Sequence, residues 1–195
     1  MRIGVFGGTF NPVHNGHLQC AEFIRGKLAL DKVLFVPTKV PVHKKIDGNV
    51  SAEDRLAMLK LALAAYPHFA LEHVEIEREE PSFTVITIGE LRQKYKGAEL
   101  FLIIGADSFN TIDTWFRWEE ILSDVMIVVM ARQGDEELRT DLVHRTPQLI
   151  QAGNSLVNIS SSMLRQMIRD GKDISGLAPK TVLDYIKEKG LYLQT

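Results

Sequence analysis

The sequence predicts an α/β fold: a doubly wound, Rossmann-like parallel sheet in a single domain over residues 1–195, with a small helical part from about residue 161. Three observations carry this. Short apolar runs alternate with longer stretches of helical periodicity, the pattern of repeated βαβ units. Leu100 to Ile104 and Val125 to Met130 are nearly continuous apolar runs, as strands buried on both faces require. The first apolar run ends in a glycine-rich turn that leads straight into a helical pattern. That order puts free backbone N–H groups at the carboxyl end of a strand.

Ile3 to Phe6 is read as the first buried strand, and Leu18 to Leu28 as a helix with apolar residues at helical spacing. Lys32 to Pro37 (KVLFVP) is a second buried strand. Ser51-Ala52-Glu53-Asp54 has the S-x-x-D form of a capping box and opens a helix running to about Ala65. Phe69 to Ile76 alternates and is read as a more exposed strand. Thr84 to Tyr95 is read as a helix, although Val85, Ile86, Thr87 and Ile88 are β-branched. Gly134 to Asp141 (GDEELRTD) is expected to be a surface insertion, its charges a solvated face or a helix start. Leu156 to Ile159 is expected to be one more strand. Helices are predicted from Ser161 to Arg169 and from Pro179 to Lys189, the last with Pro at its start and Gly190 just past its end.

Composition bounds the function. With 23 basic and 25 acidic residues the formal charge is −2, which argues against a dedicated nucleic-acid binder. No apolar run approaches the roughly 18 residues needed to span a bilayer, so no membrane partner is expected. The N-terminus lacks the basic region, apolar run and small-residue cleavage site of a secretory signal. Cys20 is the one cysteine and cannot form an intramolecular disulfide. A reducing cytoplasm is the expected home, and a homo-oligomer is compatible with the sequence.

The most specific segment is Gly7-Gly8-Thr9-Phe10-Asn11-Pro12-Val13-His14-Asn15-Gly16-His17. Gly7 and Gly8 let the backbone approach an anion, because no Cβ intervenes. His14 and His17 lie one helical turn apart and can add donors at the same helix N-terminus. A plain structural turn accounts for the glycines and Pro12 but not for the paired histidines. A zinc pair fits His-x-x-His alone, yet no acidic residue between Gly7 and Cys20 completes a ligand set, and no metal site is expected. The usual phosphate-loop patterns G-x-x-x-x-G-K-[ST] and G-x-G-x-x-G are absent after this strand. Phosphate-binding catalysis is preferred to a plain turn because an eleven-residue string is far more specific than a short pattern. The string resembles the (H/T)-x-G-H signature of nucleotidyltransferases. Its opening, Gly7 to Pro12, is similar to the nicotinate mononucleotide adenylyltransferase branch.

Later segments extend the resemblance over essentially the whole chain. Ser160-Ser161-Ser162 followed by Arg165 resembles the second signature, a serine-rich turn with an arginine. One of Ser160 and Ser161 can cap the helix, and Arg165, four residues after Ser161, leans back toward the same end. Gly105-Ala106-Asp107 resembles a Gly-x-Asp of the family. It suits ribose hydroxyls, with a plain helix cap as the rival reading for Asp107. In Trp115-Phe116-Arg117-Trp118, placed at the start of a helix, the resemblance implies a pyridine stack for Trp115. Phe116 and Trp118 are assigned mainly to packing, with Phe116 kept beside Trp115 at the acceptor. Pro81-Ser82-Phe83-Thr84 opens a helix whose amides can hold a carboxylate. Here the chain departs from the family pattern: Ile86 stands where aspartate is common, and Phe83 lacks a phenolic hydroxyl. Pro41-Val42-His43-Lys44 resembles a P-x-H-K loop that meets the acceptor phosphate. Arg132-Gln133-Gly134 stands where Arg-Pro-Gly is usual.

The resemblance implies adenylyl transfer from ATP to nicotinate mononucleotide, with deamido-NAD and pyrophosphate as products. Its implied catalytic residues are His14, His17 and Arg165. The ATP subsite it implies takes in Gly7, Gly8, Thr9, Phe10, Gly105, Asp107, Ser160 and Ser161. The acceptor subsite takes in Lys44, Thr84, Trp115, Phe116 and Arg132, and Mg²⁺ is expected to be held mainly by substrate phosphates. Three alternatives stay open: preference for nicotinamide mononucleotide, a transferase acting on phosphopantetheine or CTP, and a nucleotide sensor without turnover.

Overall fold

Six parallel strands form the sheet among the described residues, which are 1–39, 50–131, 137–154 and 159–193 of a computed structural model. The chain begins β1 (Arg2–Gly8), α1 (Asn15–Lys27), β2 (Lys32–Pro37), α2 (Ala52–Leu63) and β3 (Phe69–Leu71). It continues α3 (Val74–Glu77), α4 (Thr84–Lys94), β4 (Glu99–Gly105), α5 (Ala106–Phe109) and a 3-10 turn at Ile112–Thr114. Next come α6 (Trp118–Asp124), β5 (Met126–Ala131), α7 (Thr140–His144), β6 (Leu149–Asn154), α8 (Ser161–Arg169) and α9 (Lys180–Lys189). The strand order is β3-β2-β1-β4-β5-β6. The first half winds outward from β1, then the chain returns to pair β4 on the other side of β1, with Val5 opposite Leu102 and Phe6 opposite Ile103. That reversal leaves a crevice at the carboxyl ends of β1 and β4, the position where doubly wound sheets take ligands.

Strand alternation divides the core into two layers. Phe6, Phe35, Phe101, Ile103 and Val128 pack with Leu18, Ile24, Met58, Leu59, Leu164 and Val182, so α1, α2, α8 and α9 cover one face. Ile3, Val5, Leu34, Leu102 and Ile127 pack with Ile88, Leu91, Ile121 and Leu142, so α4, α6 and α7 cover the other. The end signals act as expected. Ser51 Oγ accepts from Asp54 N at 3.0 Å while Asp54 accepts from Ser51 N at 3.1 Å. Gly190, at φ 61°, ends α9 in the left-handed conformation that glycine tolerates. The β-branched run of α4 is helical because Val85, Ile88 and Leu91 are buried against the sheet, and packing outweighs a small propensity cost.

One expected strand needs correction. Phe69 to Ile76 is a strand only at Phe69–Leu71; the chain then turns into the short helix Val74–Glu77. Glu72 is drawn inward there, accepting from Lys94 Nζ at 2.8 Å and from Tyr95 Oη at 2.8 Å. These tertiary hydrogen bonds replace the continuation of an edge strand. Of the expected strand Leu156 to Ile159, residues 156–158 lie outside the described residues, while the sequence reading did not mark the edge strand Leu149–Asn154. As an edge strand containing Gln151 and Gly153, it shows little of the apolar continuity by which central strands are recognised. Within Gly134 to Asp141, Arg139 is paired with Asp113 and Asp141, and α7 begins at Thr140. No helix among the described residues is long and apolar enough to cross a membrane.

Candidate active site

A cavity of about 340 Å³ opens at the crevice, within the range of small-ligand sites. Gly7, Gly8, Thr9, Phe10 and His17 form its β1 side. Gly105, Asp107 and Ser108 form its β4 side, and Thr84, Trp115 and Phe116 close the end nearest α4.

The first loop is shaped by its aromatic residue. Phe10 has φ 47°, an uncommon conformation for a bulky side chain, and its ring is buried against Phe6, Phe35 and His17. A Cβ on Gly8 would stand 3.2 Å from that ring, so glycine lets the loop close over it. A Cβ on Gly7 would meet nothing within 4 Å, which leaves that backbone open to the cavity. His14 is the N-cap of α1 and is 2% exposed, its ring stacked on His17 at 3.6 Å. His14 N donates to His17 Nδ1 at 3.2 Å. An imidazole that accepts at Nδ1 carries its proton on Nε2, so His17 presents the cavity with a neutral N–H donor. The amides at this helix start are partly occupied: Asn15 N donates to Leu177 O at 2.9 Å, and His17 N to His14 O at 3.0 Å. The histidine side chain therefore matters more here than a bare helix terminus would suggest.

The second motif folds onto the first. Ser160 is the cap of α8, accepting from Met163 N at 3.1 Å, while Ser161 Oγ donates to Pro12 O at 2.9 Å. Arg165 Nη1 donates to Asn11 O at 2.8 Å. Buried Tyr192, near the end of the chain, donates its hydroxyl to Asn11 Oδ1 at 2.8 Å. Among the described residues the cavity wall includes His17 but not His14, Ser160, Ser161 or Arg165. The last four stand behind or beside the loop that carries His17.

On the β4 side Gly105 is the N-cap of α5 and Asp107 lies in its first turn, which rules out the cap reading for Asp107. A Cβ on Gly105 would stand 2.6 Å from Asp107 Oδ1, so the carboxylate can fold back over the strand end only beside glycine. At the far end Thr84 is the first residue of α4, where backbone amides have no partner within the helix. Trp115 is half-buried in the bend before α6, not within the helix, with its edge in the α4-side core. Phe116 departs from the packing assignment: it is 49% exposed and its ring meets Phe83 at 4.8 Å at the cavity mouth. The turn exposes it because Arg117, at φ 52°, reverses the chain just before the helix. Trp118 packs as expected, half-buried under the Arg145 guanidinium at 4.3 Å. Lys44 and Arg132 lie outside the described residues.

Of the buried charged residues that sequence reasoning missed, Arg55 and Glu75 bear on the cleft. Arg55 is 0% exposed and donates to Thr9 O at 2.9 Å, Thr38 O at 2.7 Å and Lys39 O at 3.1 Å. One guanidinium thus ties the first loop to the exit of β2, and burial pushes its pKa down. The signal was present: Arg55 lies on the apolar stripe with Met58, Leu59 and Ala62. Glu75 also lines the cavity, accepting from Thr87 Oγ1 at 2.7 Å. Nothing in its local sequence distinguishes it from the neighbouring Glu77.

A Rossmann-like sheet whose switch-point cleft is entered by a His-x-x-His helix and backed by a serine-arginine helix defines the nucleotidyltransferase class. In keeping with this, the cytidylyltransferase-like family model matches residues 5–167. The probable nicotinate-nucleotide adenylyltransferase of Carboxydothermus hydrogenoformans is 40% identical, with 98% of each chain covered. The nicotinate-nucleotide adenylyltransferase of Bacillus subtilis is 37% identical, again over 98% of each chain. The chain belongs to the nicotinate-nucleotide adenylyltransferase family. Its fold is similar to that of Plasmodium falciparum nicotinic acid mononucleotide adenylyltransferase complexed with NaAD. There the TM-score is 0.83 at 17% identity, covering 98% of this chain and 97% of that one.

Proposed function

We propose that this protein transfers AMP from ATP to nicotinate mononucleotide, producing deamido-NAD and pyrophosphate. The observation that carries the reading is a single cleft that joins the His17 loop, the Gly105–Asp107 strand end and the Thr84–Trp115 end. Both reactants are assigned along that line, with the reacting phosphates beside His17.

The acceptor's 5′-phosphate oxygen attacks the α-phosphorus of ATP in line, and pyrophosphate leaves. This chemistry depends on positioning and charge neutralisation rather than on a protein nucleophile. His17 Nε2–H is assigned to the α-phosphate oxygens, where charge grows in the transition state. His14 supports that ring from behind and is assigned to the triphosphate side. Arg165 and Ser161, from the α8 start, are assigned to the departing phosphates, and Ser160 holds the helix start in place. Gly7, Gly8, Thr9 and Phe10 shape the loop over the nucleotide, and Asp107 beside Gly105 is assigned to ribose hydroxyls. On the acceptor side the proposal gives the ring to Trp115 with Phe116 at its edge, the carboxylate to the amides at Thr84, and the phosphate to Lys44 and Arg132. The donors on the His17 side are imidazole, hydroxyl and guanidinium, which suit phosphate oxygens and not a hard cation. Mg²⁺ is therefore assigned to the ATP phosphates and water, where it offsets phosphate charge. A cytoplasmic location fits these substrates and the buried lone cysteine.

Turnover with ATP–Mg²⁺ and each mononucleotide, side by side, tests the reading. Preference for the acid is expected, because helix-terminal amides favour a carboxylate over an amide. Equal or faster turnover of nicotinamide mononucleotide overturns the acceptor assignment and leaves the ATP chemistry standing.

A further inference from the structure

Asn11 sits in the loop that joins Gly7 and Gly8 to the His14–His17 helix start, and it is 5% exposed. Its main-chain carbonyl accepts from Arg165 Nη1 at 2.8 Å, and its side-chain Oδ1 accepts from Tyr192 Oη at 2.8 Å. The next residue is held as well, with Ser161 Oγ donating to Pro12 O at 2.9 Å. The ties from α8 use groups already assigned to phosphate. The tie from Tyr192 comes from a residue with no assigned part in the reaction. Gly190, at φ 61°, and Tyr192, at φ 67°, turn the chain back after α9, while Leu191 N donates to Ile186 O at 3.0 Å. A left-handed backbone is unfavourable for a bulky side chain. The Tyr192 ring is nonetheless 1% exposed, in the core layer that also holds Phe10, Val13 and Leu164. Burial pushes the Tyr192 pKa up, against the Arg165 and Arg55 charges that pull it down, so the hydroxyl stays a donor at neutral pH.

A guanidinium carries its N–H donors in one rigid plane, so a bond at Nη1 fixes where the others point. In Arg165 that bond ends on the Asn11 carbonyl, with Nη2 turned to Ser162 Oγ at 3.3 Å. The Asn11 residue is fixed in turn by the Tyr192 hydroxyl. Displacing a reacting group by about 1 Å, even from far away, can cost about 100-fold in rate. We propose that Tyr192 is a positioning residue for the transfer step: its hydroxyl holds Asn11, and the Asn11 carbonyl sets the Arg165 guanidinium toward the departing phosphates. This rests on the assignment of Arg165 to those phosphates made above.

Tyr192→Phe removes the hydroxyl and keeps the buried ring. In the folded fraction, measured by urea titration, kcat is expected to fall about tenfold or more while acceptor KM stays within about twofold. A Tyr192 that only stabilises the fold predicts a lower urea midpoint with kcat within about twofold of wild type, and that result overturns the proposal. A loss carried by KM alone overturns it too. Asn11→Ala cuts the same contact from the other end and keeps the carbonyl for Arg165. The double variant is therefore expected to match the weaker single variant in kcat within about twofold, and effects that multiply overturn the route through Asn11. Tyr192→Phe decides the matter even where Asn11→Ala fails to fold. Arg165→Ala separates the two levels of the reading. Wild-type kcat there overturns the phosphate assignment and the proposal with it, whereas a large loss beside an unimpaired Tyr192→Phe overturns the proposal alone.

Discussion

Replacing Arg55 with methionine tests the idea that one buried cation holds the cleft open in its working shape. The guanidinium makes three hydrogen bonds to carbonyls of Thr9, Thr38 and Lys39, all shorter than 3.2 Å. Hydrogen bonds to a charged group contribute about 1.5–3 kcal/mol each, so the three together contribute roughly 5–9 kcal/mol. Burying the ion offsets several kcal/mol of that, and Nε is buried with no hydrogen-bond partner among the described residues. Methionine fills the aliphatic volume but offers the three carbonyls no donor. The net loss is expected to be about 3–5 kcal/mol, the usual cost of breaking a buried charge network from one side. Urea titration reads this directly, as a lower midpoint at unchanged slope. Because Thr9 lies in the cavity wall and Lys39 N hydrogen-bonds Ser82 Oγ, KM for ATP and for the acceptor should both rise. A loss below about 1 kcal/mol with both KM values unchanged would refute the clamp, since that is the range of an ordinary surface substitution.

Three further outcomes are expected. His17→Ala should lower kcat by roughly 100-fold or more with a much smaller change in acceptor KM, as for loss of one transition-state donor; an effect confined to KM for ATP would reduce His17 to a ground-state clamp. Trp115→Ala should weaken acceptor binding and, because the ring is half-buried, cost less stability than the roughly 3–5 kcal/mol of a full core cavity; a collapse of Tm with acceptor affinity intact would make it a core residue. Glu72 is subject to burial, which raises its pKa, but the hydrogen bonds from Lys94 and Tyr95 outweigh that and hold it below the usual carboxylate range. Its stabilisation is therefore present above the ordinary value and lost as pH falls through the lower folded one. Glu72→Gln should cost roughly 1–3 kcal/mol at neutral pH and flatten the acid limb of a stability profile, and an acid limb as steep as the wild type would show that Glu72 does not drive it.

Much of the architecture was legible because it is written in local pattern. Lys32–Pro37 and Ser161–Arg169 have the boundaries their periodicity implies, and Ser51 and Gly190 end their helices by cap chemistry that involves neighbours in sequence. The Gly7 to His17 string pointed to one wall of the cavity for the same reason: the turn, the helix start and both histidines are contiguous. The convergence of Ser161 and Arg165 on that loop followed from resemblance, and its form, through the carbonyls of Pro12 and Asn11, did not.

What the sequence by itself determined is the alternation of strands and helices, the placement of the glycine-rich loop at a strand end, and the family. Tertiary structure alone decided where β3 stops and that Leu149–Asn154 pairs at the far edge, since both depend on having one neighbouring strand instead of two. Tertiary structure alone also turned Phe116 outward and drew Arg55 and Glu75 inward. A buried charge becomes a structural device only when distant backbone and hydroxyl groups surround it, and local periodicity records apolar faces, not such partners.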